Sequence, residues 1–501
     1  MKINTLIICL SFCFAFAKAD AQQIPVPTDT TIVTKHTTTI KGKTIPYTAT
    51  VGFQPVWDEG GTPVASLLYT YYKRNDIKDD QERPIVISFN GGPGSASVWM
   101  HIAYTGPRIL KIDDEGFPVQ PYGIKSNPNS ILDVADIVFV NPVNTGYSRM
   151  LPGADGKMPD KKMFFGVNAD IKYLADWVNT FITRNNRWRS PKFLIGESYG
   201  TTRVAGLAAA LQDRKWMFIN GVVLVSPTEI GFKFDGPVEV ANRLPYYTAA
   251  AWYHKKLPAD LQSKDLPEVL AMSEDYAVNT LLPLIVKSGY LGATKKEAAV
   301  EKMAYFSGLS KRTIRQHNLE VPYGYFWKDL LRDRDGLTIG RLDSRYKGMD
   351  VKEAGDNPDY NSELTSWLHS FTPAINYYYN EELGLRTDLS YNMFGPVRPW
   401  DRSNNNAGPS LRAAMGVNPN LHVMIQSGYY DGATTYFNAK YVMWQLNASG
   451  KLSDRLSFKG YRSGHMMYLR NEDLIKANED LRVFIKNASI GIEKAQSIKP
   501  L

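Results

Sequence analysis

Apolar runs alternate with amphipathic stretches through the first half of the chain. Four short runs are mostly apolar rather than apolar at every second position, which is typical of strands buried on both faces of a sheet. They cover residues 84–89, 135–140, 193–196 and 221–226. Helical spacing follows the third run, with Val204, Leu207, Ala208 and Leu211 at i, i+3, i+4 and i+7. Strands separated by helices predict an α/β fold with a mostly parallel central sheet and helices on both faces.

The pattern differs on either side of this region. Segments 44–53 and 64–72 are rich in strand formers and are separated by Gly60-Gly61 and Pro63, which predicts an antiparallel hairpin. Beyond about residue 236 the pattern turns helical, and apolar strands return only with 422–426 and 456–461, before a final helix over 473–486. We therefore predict a core over 22–235, an inserted helical cap over 236–390, and the rest of the core over 391–501.

The first 21 residues have the pattern of a signal peptide. Lys2 precedes the apolar stretch 6–17, and small residues at Ala17, Ala19 and Ala21 offer cleavage sites. This predicts export, to a periplasm or out of the cell, and a mature chain that is not held in a membrane. The two cysteines of the chain, Cys9 and Cys13, fall within this segment, so the mature chain would contain no disulfide.

Composition excludes some function classes. The chain has 501 residues, of which 44% are hydrophobic and 22% charged, as in an ordinary globular protein. The formal net charge is +8, but the basic residues are scattered without a run of five, which argues against nucleic-acid binding. No His, Asp and Glu residues show metal-ligand spacing, so we expect neither a metal nor another cofactor. The sequence does not predict an oligomeric state.

The segment Gly196-Glu197-Ser198-Tyr199-Gly200 lies between the third strand and its helix. A Gly-x-Ser-x-Gly motif in this context is a nucleophile elbow, in which a tight turn exposes the serine at the sheet edge. The first N–H groups of the helix then face negative charge that develops beside Ser198. The alternative interpretation is a glycine-rich turn that carries a surface serine.

A serine nucleophile needs a base and an orienting carboxylate, which follow the serine in α/β-hydrolases in the order acid, then histidine. Among the seven histidines, His465 lies just after a predicted strand, where a loop can direct its ring. Asp431 follows the strand 422–426 and is the predicted acid. Asp401 and Asp454 are alternatives, but Asp454 precedes the last strand and would lie at its opposite end.

A glycine-rich turn, Asn90 to Gly94, ends the first buried strand. This is where an oxyanion hole draws its second donor, so the N–H groups of Gly92 and Tyr199 are the predicted pair. The alternative, a phosphate-binding loop, lacks the Gly-Lys-Ser/Thr and the dinucleotide fingerprint that it would need.

Together these motifs resemble those of the serine carboxypeptidase family. The segments that carry the resemblance are Asn90-Gly91-Gly92-Pro93-Gly94-Ser95, Thr105-Gly106-Pro107, Asn141 to Ser148, Gly196 to Gly200, Tyr430-Asp431 and Gly464-His465-Met466. The resemblance implies an α/β-hydrolase fold with a cap and the release of C-terminal amino acids through an acyl-enzyme. The partner would be a peptide with a free C-terminus.

The resemblance also implies a site for the substrate's terminal carboxylate, formed by Asn90, Gly91 and Glu197. A protonated glutamic acid can donate to a carboxylate, so activity should fall at pH values well above the pKa of Glu197. The sequence departs from the family at Ser88, where a Trp is usual, and at Tyr104, where a Glu is usual. These departures leave an esterase or acyltransferase open as an alternative. A noncatalytic binding protein is a further one.

Overall fold

The computed structural model describes residues 24–489, so the predicted signal peptide at 1–21 lies outside the described residues. The strands are β1 Thr30–Ile40, β2 Lys43–Trp57, β3 Pro63–Arg74, β4 Ile85–Phe89, β5 Arg108–Leu110, β6 Ile124–Ser126, β7 Asp136–Val140, β8 Arg149–Met150, β9 Lys192–Glu197, β10 Gly221–Val225, β11 Thr338–Ile339, β12 Lys347–Gly348, β13 His422–Gly428 and β14 Leu456–Tyr461.

The helices are α1 Val98–His101, α2 Val167–Arg184, α3 Tyr199–Lys215, α4 Pro237–Tyr253, α5 Ala259–Gln262, α6 Leu266–Tyr276, α7 Leu282–Val286, α8 Ala293–Ser307, α9 Lys311–Gln316, α10 Tyr323–Asp329, α11 Arg332–Asp335, α12 Ser362–Tyr377, α13 Ala407–Val417, α14 Tyr436–Leu446 and α15 Asn471–Ser489.

A ten-stranded sheet forms the centre of the molecule, in the order β1-β2-β3-β7-β4-β9-β10-β13-β14, with β8 paired to β3. The first three strands and the β3–β7 pair are antiparallel. From β7 to β14 every neighbouring pair is parallel. The strands β4, β7, β9 and β10 are buried along their whole length, which explains why their sequences are apolar without alternation. The carboxyl ends of these parallel strands share one edge of the sheet.

Helices cover both faces of the sheet. On one face, α2, α3 and α13 enclose an apolar core that includes Trp177, Leu207 and Leu411. On the other face, α15 contributes Leu481 and Ile485 to a second core, which also takes in side chains of α1 and α12. The two cores hold the parallel strands rigid, so the loops at their carboxyl ends are anchored on a fixed support.

A long helical insertion separates β10 from β13. Helices α4 to α10 surround an apolar cluster of their own, which includes Leu244, Val269, Val300 and Phe326. By length and composition, one continuous helical stretch among the described residues, Leu266–Val286, which includes α6 and α7, could cross a membrane. Residues of this stretch such as Val269 and Leu281 pack inside the insertion. The domain boundaries at 236 and 390 stay a prediction.

Candidate active site

The serine lies where β9 turns into α3. Ser198 has φ 57° and ψ −127°, a conformation that residues with a side chain rarely adopt, and its N–H donates to the carbonyl of Val225 on β10 (2.9 Å). The turn thereby fixes Ser198 at the carboxyl edge of the sheet with the N-terminus of α3 directly behind it. Such stored backbone strain is frequent at functional sites.

His465 and Asp431 form the second part of the arrangement. The ring N–H at Nδ1 of His465 donates to Oδ2 of Asp431 (2.7 Å). Asp431 is fully buried, and its carboxylate also accepts the N–H groups of Ala433 (2.8 Å) and Thr434 (3.0 Å) and the Thr434 hydroxyl (2.8 Å). These donors stabilise the ionised carboxylate, which in turn fixes the tautomer and orientation of the imidazole.

Burial alone would lower the pKa of His465, but the nearby Asp431 carboxylate outweighs it. The pKa of His465 is therefore raised above its ordinary value. The loops that carry the two residues touch at Gly428, where an added Cβ would lie only 2.1 Å from the carbonyl oxygen of Gly464. Only glycine allows the acid and histidine loops to approach this closely.

The glycine-rich loop after β4 packs against the elbow. A Cβ on Gly91 would lie 2.5 Å from the N atom of Tyr199, so glycine is required where the two loops meet. Arg203 of α3 clamps this loop: it donates to the carbonyls of Asn90 (2.6 Å) and Pro93 (3.2 Å) and forms a buried ion pair with Asp170 (2.7 Å). The loop that carries Gly92 is thereby held beside the N-terminus of α3.

One cleft, with a volume of about 610 Å³, brings most of the predicted residues together. Its lining includes Gly91, Gly92, Glu197, Ser198, Tyr199 and His465. Asp431 lies behind His465. Asn90 is fully buried and absent from the lining, and its amide donates to Oε1 of Glu197 (3.0 Å), so its contact with a ligand would pass through Glu197.

Glu197 is a buried carboxyl group next to Ser198. Burial raises its pKa to about 7, against the smaller lowering effects of His465, Tyr468 and Asn90. The hydroxyl of Tyr468 donates to Oε2 of Glu197, a contact that the sequence does not predict. Tyr468 follows His465 by three residues, and an aromatic residue at this distance gives no recognisable sequence signal.

The two positions at which the sequence departs from the family are both buried. The ring of Tyr104 stacks on that of Tyr468, with centroids 4.8 Å apart and planes 8° apart, and its hydroxyl donates to Oε1 of Gln426 (2.7 Å). Ser88 packs with its hydroxyl 3.9 Å from the sulfur of Met100. Tyr104 therefore supports the tyrosine that holds Glu197, at a position where the family resemblance leads us to expect a second carboxyl group.

Replacing Tyr104 with phenylalanine is expected to lower the free energy of unfolding by about 1–3 kcal/mol, because Oε1 of Gln426 loses its buried donor. The ring that stacks on Tyr468 remains, so the pH profile of any activity should keep its shape. Urea denaturation checks the first expectation. The matched control is Tyr290→Phe, since Tyr290 is 96% exposed. A shifted pH profile in the Tyr104 variant would instead place its hydroxyl in the site.

A sequence model of the serine carboxypeptidase family matches residues 45–456, most of the chain. The chain belongs to this family. Two curated relatives show the extent of pairwise similarity. Serine carboxypeptidase-like 36 of Arabidopsis thaliana is 27% identical over 183 residues, which are 34% of this chain and 35% of the relative. Pheromone-processing carboxypeptidase KEX1 of Saccharomyces cerevisiae is 25% identical over 162 residues, 31% of this chain and 21% of the relative.

The matched region thus spans about a third or less of the length of these serine carboxypeptidase relatives. The crystal structure of KEX1, a prohormone-processing carboxypeptidase, superposes with a TM-score of 0.51 at 15% identity and covers 88% of this chain and 91% of that one. The predicted fold, an α/β-hydrolase fold with a mostly parallel sheet and a helical insertion, is confirmed by this likeness and by the sheet order.

Proposed function

We propose that this protein is a serine-type carboxypeptidase that hydrolyses C-terminal peptide bonds. The observation that carries the proposal is Glu197, a buried carboxyl group with a pKa raised to about 7 that lines the same cleft as Ser198 and His465. A carboxyl group that is protonated near neutrality can donate a hydrogen bond to the terminal carboxylate of a peptide. An amide or ester terminus would not offer the same acceptor.

In the proposed reaction, Oγ of Ser198 attacks the scissile carbonyl carbon while His465 takes the hydroxyl proton. The N–H groups of Gly92 and Tyr199 stabilise the negative oxygen of the tetrahedral intermediate. His465 then gives the proton to the leaving amine as the C–N bond breaks. Water, deprotonated by His465, hydrolyses the resulting ester and frees Ser198. Asp431 stabilises the imidazolium in both halves of the reaction.

The proposed substrate is a peptide with a free C-terminus, bound through Glu197 and the Gly91 backbone with Asn90 as support. We place the reaction in a periplasm or outside the cell, because of the signal-peptide pattern over 1–21.

A matched set of substrates tests the proposal: one blocked dipeptide as free acid, as C-terminal amide and as ethyl ester. We expect kcat/KM for the free acid to exceed that for the amide by about 10- to 100-fold, the value of a hydrogen bond to a charged group. Equal cleavage of acid and amide would contradict carboxylate recognition. Cleavage of the ester alone would favour the esterase or acyltransferase, which uses the same triad without a carboxylate site.

A further inference from the structure

The inference rests on the proposed function. In that reaction the leaving residue is the C-terminal amino acid that is released, and the chemistry sets its position in the cleft. The leaving amine must meet His465, which protonates it, and the carboxylate of the same residue must meet Glu197. The side chain of the leaving residue therefore faces the wall of the cleft next to His465. This wall is built by Met466 of the histidine loop and by Arg341, Leu342, Leu364 and Trp367 of the insertion.

Backbone hydrogen bonds fix the Arg341–Leu342 segment against both loops of the triad. The N–H of His465 donates to the carbonyl of Leu342 (2.6 Å), and the N–H of Gly432, next to Asp431, donates to the carbonyl of Arg341 (2.9 Å). The N–H of Leu342 is held in turn by Oε1 of Glu363 (2.8 Å). Arg341 therefore stands at a defined place beside His465 rather than on a free loop.

The guanidinium of Arg341 is exposed to the cleft and lacks a carboxylate partner. Arg345, four residues on, pairs with Asp343 (2.7 Å), whereas Arg341 forms no ion pair with any residue in the described range 24–489. Its positive charge disfavours protonation of the His465 ring and so has a lowering effect on the pKa of His465. Glu363, which accepts the N–H of Leu342, does not line the cleft: it is buried beneath the segment, and burial raises its pKa.

The remaining charges of the cleft lie away from this wall. Glu229 directly follows Thr228, whose hydroxyl bonds to that of Thr202 on α3 (2.9 Å). Glu239 forms an ion pair with Arg243 (2.8 Å). The positive charge of Arg402 has a lowering effect on the pKa of Tyr199, which places Arg402 near the start of α3. These groups border α3 and α4, the side that would face the acyl half of the substrate. Arg341 is thus the charge that the side chain of the leaving residue would meet.

We propose that Arg341 is a specificity-determining residue for the leaving amino acid. Its guanidinium attracts a carboxylate side chain and repels an ammonium or guanidinium group at the same place. Leu342, Leu364, Met466 and Trp367 provide apolar contact for the stem of that side chain. The enzyme would prefer peptides that end in Glu or Asp over peptides that end in Lys or Arg.

The test uses blocked dipeptides that share the acyl residue and end in Leu, Gln, Glu or Lys. For the wild-type protein we expect kcat/KM for the peptide ending in Glu to exceed that for the peptide ending in Lys by about tenfold. Attraction of the Glu carboxylate and repulsion of the Lys ammonium by an exposed charge should each change kcat/KM a few-fold. Arg341→Gln should bring this ratio close to one, Arg341→Glu should invert it, and Arg341→Lys should retain most of it. The ratio should also fall as salt is raised.

Arg312→Gln is the matched control, because Arg312 is an exposed arginine of α9 outside the cleft, and its ratio should equal that of the wild type. A wild-type ratio at or below one, or a ratio that survives in Arg341→Gln, would overturn the role of Arg341. If the protein cleaved none of the four peptides, the result would instead count against the proposed function, so the two failures are distinguishable.

Discussion

Replacing Ser198 with alanine is expected to lower kcat/KM for a blocked dipeptide by a factor of about 10⁴ to 10⁶, as the loss of the nucleophile does in triad enzymes. The Oγ atom is the only part of the side chain that is removed. Alanine can occupy the same strained turn at φ 57° about as well as serine, so the fold should persist. The residual rate would come from the oxyanion donors and from binding.

The same variant should lose covalent labelling by a fluorophosphonate. Intact-mass measurement should show one added group per wild-type chain and none on the variant. Ser449→Ala provides the control, since Ser449 is exposed beyond the end of α14. Thermal unfolding of the wild type, Ser198→Ala and Ser449→Ala checks that all three proteins are equally folded. If the Ser198→Ala protein still took up the label at the wild-type rate, another residue would be the nucleophile and the proposed mechanism would be wrong.

Local patterns allow the core of this molecule to be predicted. The strands β4, β7, β9 and β10 are buried on both faces, so each leaves a mostly apolar run without alternation in the sequence. Ser198, Asp431 and His465 follow the ends of parallel strands, and such ends meet at one edge. Their proximity therefore follows from topology and can be predicted without coordinates.

Contacts between distant segments leave no comparable pattern. Arg203 lies on the buried part of α3, and only the folded chain shows that it clamps the glycine-rich loop through Asn90. Tyr468 meets Glu197 across a separation of 271 residues. Arg341 lies beside the histidine loop because the next residue of the insertion, Leu342, accepts the N–H of His465. In each case the partner is chosen by tertiary packing, which spacing along the chain does not encode.

The pH profile of the wild-type protein should be bell-shaped with its maximum near neutrality. Above the Glu197 pKa of about 7, the protonated form that donates to the substrate carboxylate is lost, so kcat/KM should fall about tenfold per pH unit. Below the raised pKa of His465 the general base is protonated, which produces the acidic limb. Because the two groups interact, the limbs report the pKa values of the pair rather than of either residue.

Two variants separate the roles of the residues around Glu197. Glu197→Gln carries a neutral donor at every pH, so its alkaline limb should disappear, while the acidic limb set by His465 remains. Tyr468→Phe removes a donor that stabilises the ionised form of Glu197, so the pKa of Glu197 should rise and the alkaline limb should move to higher pH. Measuring kcat/KM for the free-acid dipeptide from about pH 5 to about pH 9 covers both limbs.

Tyr290→Phe serves as the control for the loss of a tyrosine hydroxyl, because this residue is 96% exposed and does not line the cleft. An alkaline limb that persists unchanged in Glu197→Gln would show that another group causes it, and recognition of the carboxylate by protonated Glu197 would be wrong. A limb that moves to lower pH in Tyr468→Phe would mean that the hydroxyl stabilises the protonated form instead. Because loss of the limb in one variant and its upward shift in the other both follow from protonated Glu197, this pair of variants is decisive for how the cleft binds a carboxylate.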